Sequence, residues 1–340
     1  MKRGGLIIWA GFVISLVALT YLVSTIDIAR LLDALVQFDL RYLVAAVLIT
    51  FISYWLRAVR WQILLSHERS IRFSSLFSSI CMGYMGNNLF PVKIGEVVRA
   101  WSLAERERLQ LPPVLASLVI DRLLDGMSVM LMLGGVLLAL ELPPGMEQAE
   151  LLLKAGGAAT LVLYCSAILF LILLKRYPMF CLTLLERLLQ PMAPAVARKL
   201  IPLAGSFLGG LRIPRSKRDI LLLALLSAFI WFTATIPVHL ILTGFGLLLP
   251  VQAAFFIMVL LVFAVMLPSA PGYIGTYHLA CYTGLAAYGL ADTQAMSAAL
   301  VIHGVGFFPV TVAGLWLAAK HGISIAKLGN QSGKERRCAT

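Results

Sequence analysis

The segments PVKIGEVVRA (91–100) and PGYIGTYHLA (271–280) share the pattern Pro-x-x-Ile-Gly and lie about 180 residues apart in a strongly apolar chain. Proline removes a backbone donor and stops a helix, and glycine lets the chain turn. In hydrocarbon, such a break persists only where protein or a wet cavity covers the freed backbone groups. Breaks at corresponding positions of two halves point to a substrate site in a transporter built from repeats.

The surrounding composition sets the solvent. Hydrophobic residues make up 60% of the 340 and charged residues 13%, whereas soluble domains average about half and about a quarter. Spanning segments need roughly 20 apolar residues, and the sequence offers them at about 6–24, 42–65, 113–140, 151–174, 220–243 and 294–318. Two further apolar stretches, 74–105 and 252–290, contain the breaks NNLFPVKIG and LPSAPGYIG. The expectation is an all-α polytopic membrane protein forming a single integral membrane domain over 1–340. The run after MKRGG is longer than a signal-peptide core and has no clear cleavage site, so it reads as an uncleaved first helix. Cys81, Cys165, Cys181, Cys281 and Cys338 form no CxxC pair and read as packing residues.

The net charge of +12 does not imply nucleic acid, because the basic residues cluster in a few loops as the positive-inside bias requires. Lys2 and Arg3 place the N-terminus in the cytoplasm. The loop 25–41 lacks a basic excess, and ELPPGMEQAE (141–150) carries Glu141, Glu147 and Glu150, so both read as outside. The stretch 175–219, with Lys175, Arg176, Arg187, Arg198, Lys199, Arg212, Arg215, Lys217 and Arg218, reads as a cytoplasmic amphipathic connector lying on the membrane surface. The basic tail 319–340 also reads as cytoplasmic. These assignments agree only if each broken stretch returns to the side it entered. The pieces flanking each break are short, which favours two re-entrant helical hairpins.

Two repeats follow, 42–140 and 220–318. Phe51-Ile52 matches Phe229-Ile230, and Leu118-Val119-Ile120 matches Leu300-Val301-Ile302, at nearly equal offsets. The first unit starts outside and dips from the cytoplasm; the second starts inside and dips from outside. That is an inverted-topology repeat, suited to alternating access. Its hinge residues are Pro91 and Gly95 in the first break and Pro271, Gly272 and Gly275 in the second.

Charges inside a membrane are expensive and mark functional sites by default. Lys93, Glu96 and Arg99 share one face if the segment after Pro91 is helical, and Asn87 and Asn88 precede the break. Asp121, Arg122 and Asp125 lie inside the span that begins near Pro113. Asp121 and Asp125 share a face, and Arg122 and Asp125 can pair at i, i+3. The repeat aligns His303 with Asp121. His278 follows the second break, and its neutral form suits a proton relay. A packing ion pair and a satisfied polar histidine are the structural alternatives. Arg57 and Arg60, beside Trp55 and Trp61, read as interface anchors. HExxH, GxSxG and phosphate-loop patterns are absent, and no metal-ligand spacing occurs. No catalytic residue, metal or cofactor is therefore assigned.

The segments GNNLFPVKIGEVVRAW, ASLVIDRLLD and LPSAPGYIGTYHLA resemble the lysylphosphatidylglycerol synthase transmembrane region, the flippase-like domain family. The resemblance runs from the first span to the last. It is most specific in Asn-x-x-Pro-x-x-x-Gly-Glu-x-x-Arg, in Arg122 with Asp125, and in Pro-Gly-x-x-Gly. Gly95, Glu96 and Arg99 keep the family pattern. Lys93 stands where the family often has arginine, which keeps the charge but not the planar fork. Full-length synthases add a soluble aminoacyl-transferase domain, and this chain ends at Thr340 without one. The resemblance therefore does not imply lipid aminoacylation; it implies the flippase-like part alone, and the expectation is a non-enzymatic flippase moving an anionic or zwitterionic phospholipid or a polyprenol-linked lipid between leaflets of the inner (plasma) membrane. The partners it implies are that lipid, the bilayer, and a lipid-modifying enzyme or glycosyltransferase. The alternatives from other classes are a membrane enzyme and an accessory partner of a glycosyltransferase acting on lipid-linked sugars.

Overall fold

The computed structural model describes residues 13–22, 28–66, 70–90, 93–139, 147–191, 193–211 and 216–323. Every regular element among them is helical. In chain order they are α1 (Val13–Leu22), α2 (Ile28–Val36), α3 (Leu40–Leu64), α4 (Phe73–Leu89), α5 (Gly95–Glu107), α6 (Leu111–Ala139) and α7 (Glu147–Arg176). There follow α8 (Pro178–Leu189), α9 (Pro194–Gly210), α10 (Lys217–Gly244), α11 (Val251–Met266), a 3-10 turn (Pro271–Tyr273), α12 (Thr276–Ala286) and α13 (Asp292–Lys320). Pro91, the segments 1–12, 67–69, 140–146 and 212–215, and the tail from 324 onward, with Cys338, lie outside the described residues.

Four described helices are long and apolar enough to cross a bilayer: α3, residues 155–176 of α7, α10 and α13. The protein is a multi-pass membrane protein. Residues 111–139 of α6 form a helix of comparable length, 29 residues, interrupted in composition by Asp121, Arg122 and Asp125. Both broken stretches are pairs of shorter helices. At 1.5 Å per residue, the 17 residues of α4 and 13 of α5 reach about 25 Å and 20 Å. The 16 of α11 and 11 of α12 reach about 24 Å and 16 Å. Each is shorter than a hydrocarbon core of about 30 Å.

Local chemistry sets the ends. Asp39 caps α3 by accepting from the Arg41 amide at 2.9 Å. Arg108 closes α5 in the left-handed conformation, φ 50°. Leu267 ends α11 in extended backbone, as a residue before proline prefers. The outer ends of the first hairpin meet, since Arg72, the residue preceding α4, pairs with Glu107, the last of α5, at 3.1 Å. In the second, Phe256 of α11 lies 6.0 Å, ring to ring, from Tyr288 just after α12.

The two units pack reciprocally. α3 packs on α4 and α6, α4 on α5, and α5 on α6; α10 packs on α11 and α13, α11 on α12, and α12 on α13. Between units, α3 packs on α10, α4 on α13, α11 on α6, α3 on α13 and α10 on α6. Exchanging α3, α4, α5 and α6 for α10, α11, α12 and α13 maps each of these contacts onto another. The interfaces are built from small residues: Ser75, Ser78, Ser79, Gly83 and Gly86 are buried on α4, and Ala298, Ala299, Gly314 and Ala318 on α13. Helices gain little from hydrophobic exclusion against lipid, so close backbone approach is what holds them together. Gly95 shows it: a Cβ there would lie 2.1 Å from the Gly83 carbonyl oxygen.

The connector 175–219 contains α8 and α9. Phe180, Leu184 and Leu188 of α8 are exposed, while α9 docks on the start of α6. Cys81 and Cys281 are buried packing residues, whereas Cys165 is exposed on α7.

Candidate functional site

The two breaks meet in the middle of the fold. The tip of α4 packs on the 3-10 turn at 271–273. Asn87 accepts from the Gly95 amide at 2.8 Å, closing the first break on itself. Asn88 donates to Thr311 of α13 at 2.9 Å. Lys93 reaches the Val265 carbonyl at the end of α11, and its ammonium lies 6.0 Å from the Tyr273 ring.

Beside this junction is a cavity of about 560 Å³. Val129, Val238, Ile241, Met258, Leu261 and Phe307 make much of it apolar; Tyr54, Tyr84, Trp231, Tyr273 and Tyr277 supply aromatic faces. Its charged wall is Arg57, Glu96, Arg122 and Asp125, with Asn87, Asn88 and His303 around them. Tyr164 and Thr160 place α7 on the cavity's outer side.

The charged wall is the front of an ion network. Arg57 lies 3.0 Å from Asp125, and Arg60 lies 2.8 Å from Asp121 and 2.7 Å from Asp125. Arg99 lies 2.9 Å from Asp121. Arg122 lies 3.1 Å from Asp125 and 3.0 Å from Glu96. Ser227 of α10 accepts from Arg60 at 3.0 Å. The network ties α3, α5 and α6 together. Its four guanidinium groups face three carboxylates, which leaves one positive charge unbalanced. The members differ in access: the Arg60 and Asp121 side chains are fully buried, while Arg122 and Glu96 are 42% and 37% exposed. Buried ion pairs are costly to assemble and more costly to break singly, so an interior network with an excess cation calls for a functional explanation.

The structure brings together Asn87, Asn88, Glu96, Arg122, Asp125 and His303 at the cavity. Arg99 and Asp121 sit behind that wall; Arg99 is buried and stacks over the Trp61 ring at 4.1 Å. His278 adjoins His303, ring centroids 4.6 Å apart. The expected i, i+3 pairing of Arg122 with Asp125 is present.

Two expectations need correction. Lys93 does not share a helical face with Glu96 and Arg99, because α5 begins only at Gly95, and Lys93 turns instead toward the second break. Arg57 and Arg60 are not interface anchors: both are buried with Trp61, which donates to Ser117 at 2.9 Å. Their signal was helical phase. Ser53, Arg57, Arg60, Trp61 and Leu64 recur at spacings of three and four on one buried stripe of α3.

Fold and site together define a helical multi-pass membrane protein with a largely apolar cavity, walled on one side by paired charges, between two units whose helix contacts are reciprocal. The chain belongs to the lysylphosphatidylglycerol synthase transmembrane region family, which matches residues 8–314. It is 25% identical over 340 residues to a UPF0104 membrane protein of Methanothermobacter thermautotrophicus, covering 96% of this chain and 98% of that one. It is 28% identical over 149 residues, 43% of this chain, to the protein named Glycosyltransferase AglD of Haloferax volcanii, and that match spans 24% of the relative's length. No solved structure matches it.

Proposed function

We propose that this protein moves a lipid with an anionic, phosphate-bearing headgroup between the leaflets of the inner (plasma) membrane, without covalent change to the lipid. The headgroup crosses through the cavity while the tails remain in the bilayer. The carrying observation is the ion network's excess positive charge behind a wall on which Arg122 is exposed to the cavity, with Lys93 at the junction of the breaks. A phosphate oxygen replaces Glu96 or Asp125 on the Arg122 fork, which suits planar bidentate contact.

The units act as an inverted repeat with re-entrant hairpins. Support comes from the reciprocal contacts, from helices too short to span, and from the Arg72–Glu107 pair joining the ends of the first hairpin. The distribution of basic loops supports cytoplasmic termini. Alternating access then amounts to motion of one unit against the other around a fixed site.

A second reading is a role beside, or within, lipid-linked glycosyl transfer. The similarity to a protein named as a glycosyltransferase favours it. One experiment separates the two. The purified protein is reconstituted in vesicles with labelled anionic lipids, and an impermeant reagent reports leaflet position while mass spectrometry reports composition. Leaflet exchange without new lipid species supports translocation. A changed lipid, or no exchange of any phosphate-bearing lipid, removes it and leaves the second reading.

A further inference from the structure

The ion network belongs entirely to the first unit. The second unit carries two histidines at the matching place, and they hold the second break. His303 Nε2 lies 2.7 Å from the Gly272 carbonyl oxygen, so that nitrogen carries the proton. The Gly275 amide donates to His278 Nδ1 at 3.4 Å, so that nitrogen is unprotonated and the neutral ring carries its proton on Nε2. His278 is 5% exposed, and its Nε2 is buried without a hydrogen-bond partner.

The backbone they hold is strained. Gly272, at φ 70°, takes the left-handed conformation that glycine adopts freely, while Gly275 at φ 92°, ψ −69° is close to the rare γ-turn. Tyr273 between them has φ 59°, which an aromatic residue seldom adopts. Such strain persists only when surrounding contacts hold it, and it concentrates at switch regions. Ser15 of α1 adds one such contact, accepting from the Ala270 amide at 2.8 Å.

We infer that the second break is a proton-binding site at which protonation of His278 Nδ1 releases the Gly275 amide, relaxes the strained turn and so couples lipid passage to proton entry from the cavity. The inference rests on the translocation reading. A proton from cavity water reaches the pair at His303, which lines the cavity. It ends on His278 Nδ1, whose lone pair then no longer accepts from Gly275 N–H. The Nδ1–H bond forms as one O–H bond of the hydronium donor breaks, leaving water behind. Histidine is the side chain whose charge changes in the physiological range. The neighbouring α11 carries no ionisable residue, and Tyr277 of α12 stacks 4.8 Å from His303. Across the cavity the pair faces Tyr54, Tyr84, Glu96 and Arg122, and Lys93 lies over Tyr273.

The test is lipid exchange in vesicles holding the purified protein, with equal pH on both sides and with a gradient of either sign. A one-proton step responds by up to about tenfold per pH unit, and His278→Asn should flatten that response to within about twofold. Asparagine offers an oxygen near the Nδ1 position but takes up no proton. His303→Gln, which keeps a donor for Gly272, should flatten it as well, and serves if the first variant does not fold. Exchange that ignores the gradient in the unaltered protein overturns the proton site and leaves translocation standing. Full gradient response in both variants overturns the assignment to this pair. Absence of exchange under every condition overturns the translocation reading and this inference with it.

Discussion

The Arg60 guanidinium lies 2.8 Å from the Asp121 carboxylate, and neither side chain has any exposed surface. Asp121 also holds Arg99, and Arg60 also holds Asp125. This pair therefore joins α3, α5 and α6 below the cavity, and the exposed cation at Arg122 stands on it.

Replacing Asp121 with asparagine leaves Arg60 with one carboxylate partner and Arg99 with none. Removing one member of a buried pair costs about 3–5 kcal/mol. The expected outcome for Asp121→Asn is a marked fall in the midpoint of thermal unfolding in detergent, followed by size-exclusion chromatography. An unchanged midpoint would show that the network does not support the fold.

Arg122→Gln removes a half-exposed charge and should leave the unfolding midpoint nearly unaltered. A hydrogen bond to a charged group contributes about 1.5–3 kcal/mol, so anionic-lipid exchange in vesicles should fall about 10- to 100-fold. Arg122→Lys keeps the charge without the fork and should fall between the two. Equal exchange by all three proteins would remove Arg122 from the site.

Gly95→Ala tests the first break. The added methyl would lie 2.1 Å from the Gly83 oxygen and 2.4 Å from the Asn87 Cγ, so α4 and α5 must separate. Overpacking of this kind costs about 1–3 kcal/mol. Faster proteolysis of the hairpin in the folded protein is the expected result; unaltered proteolysis would mean that the helices do not close as tightly as described.

Ser70 and Gln110 are exposed residues just outside the two ends of the first hairpin. Single cysteines at these positions, with the native cysteines replaced, should react with an impermeant thiol reagent from the same side of the membrane. Labelling from opposite sides would exclude a re-entrant hairpin and require a single net crossing.

The residues NNLFPVKIG and LPSAPGYIG were legible as breaks because proline and glycine act on their own backbone, within a few residues. Long apolar runs were legible for the same reason, since burial in lipid depends on composition over about 20 positions. The pairing of Arg122 with Asp125 followed from helical spacing alone. Lys93 was misplaced because the start of α5 depends on how Asn87 closes the turn onto Gly95.

Sequence by itself determined the solvent of this protein, the two breaks and the presence of intramembrane charge, because each is a local property of side chain and backbone. Tertiary structure alone decided that Arg57 and Arg60 turn inward to Asp121 and Asp125, across 61 to 68 positions of chain. It also decided that the two breaks meet beside one cavity. An arginine near a helix end is equally compatible with headgroups and with a buried carboxylate. The choice lies with the partner that packing brings within about 3 Å, and spacing along the chain carries no information about a partner on another helix.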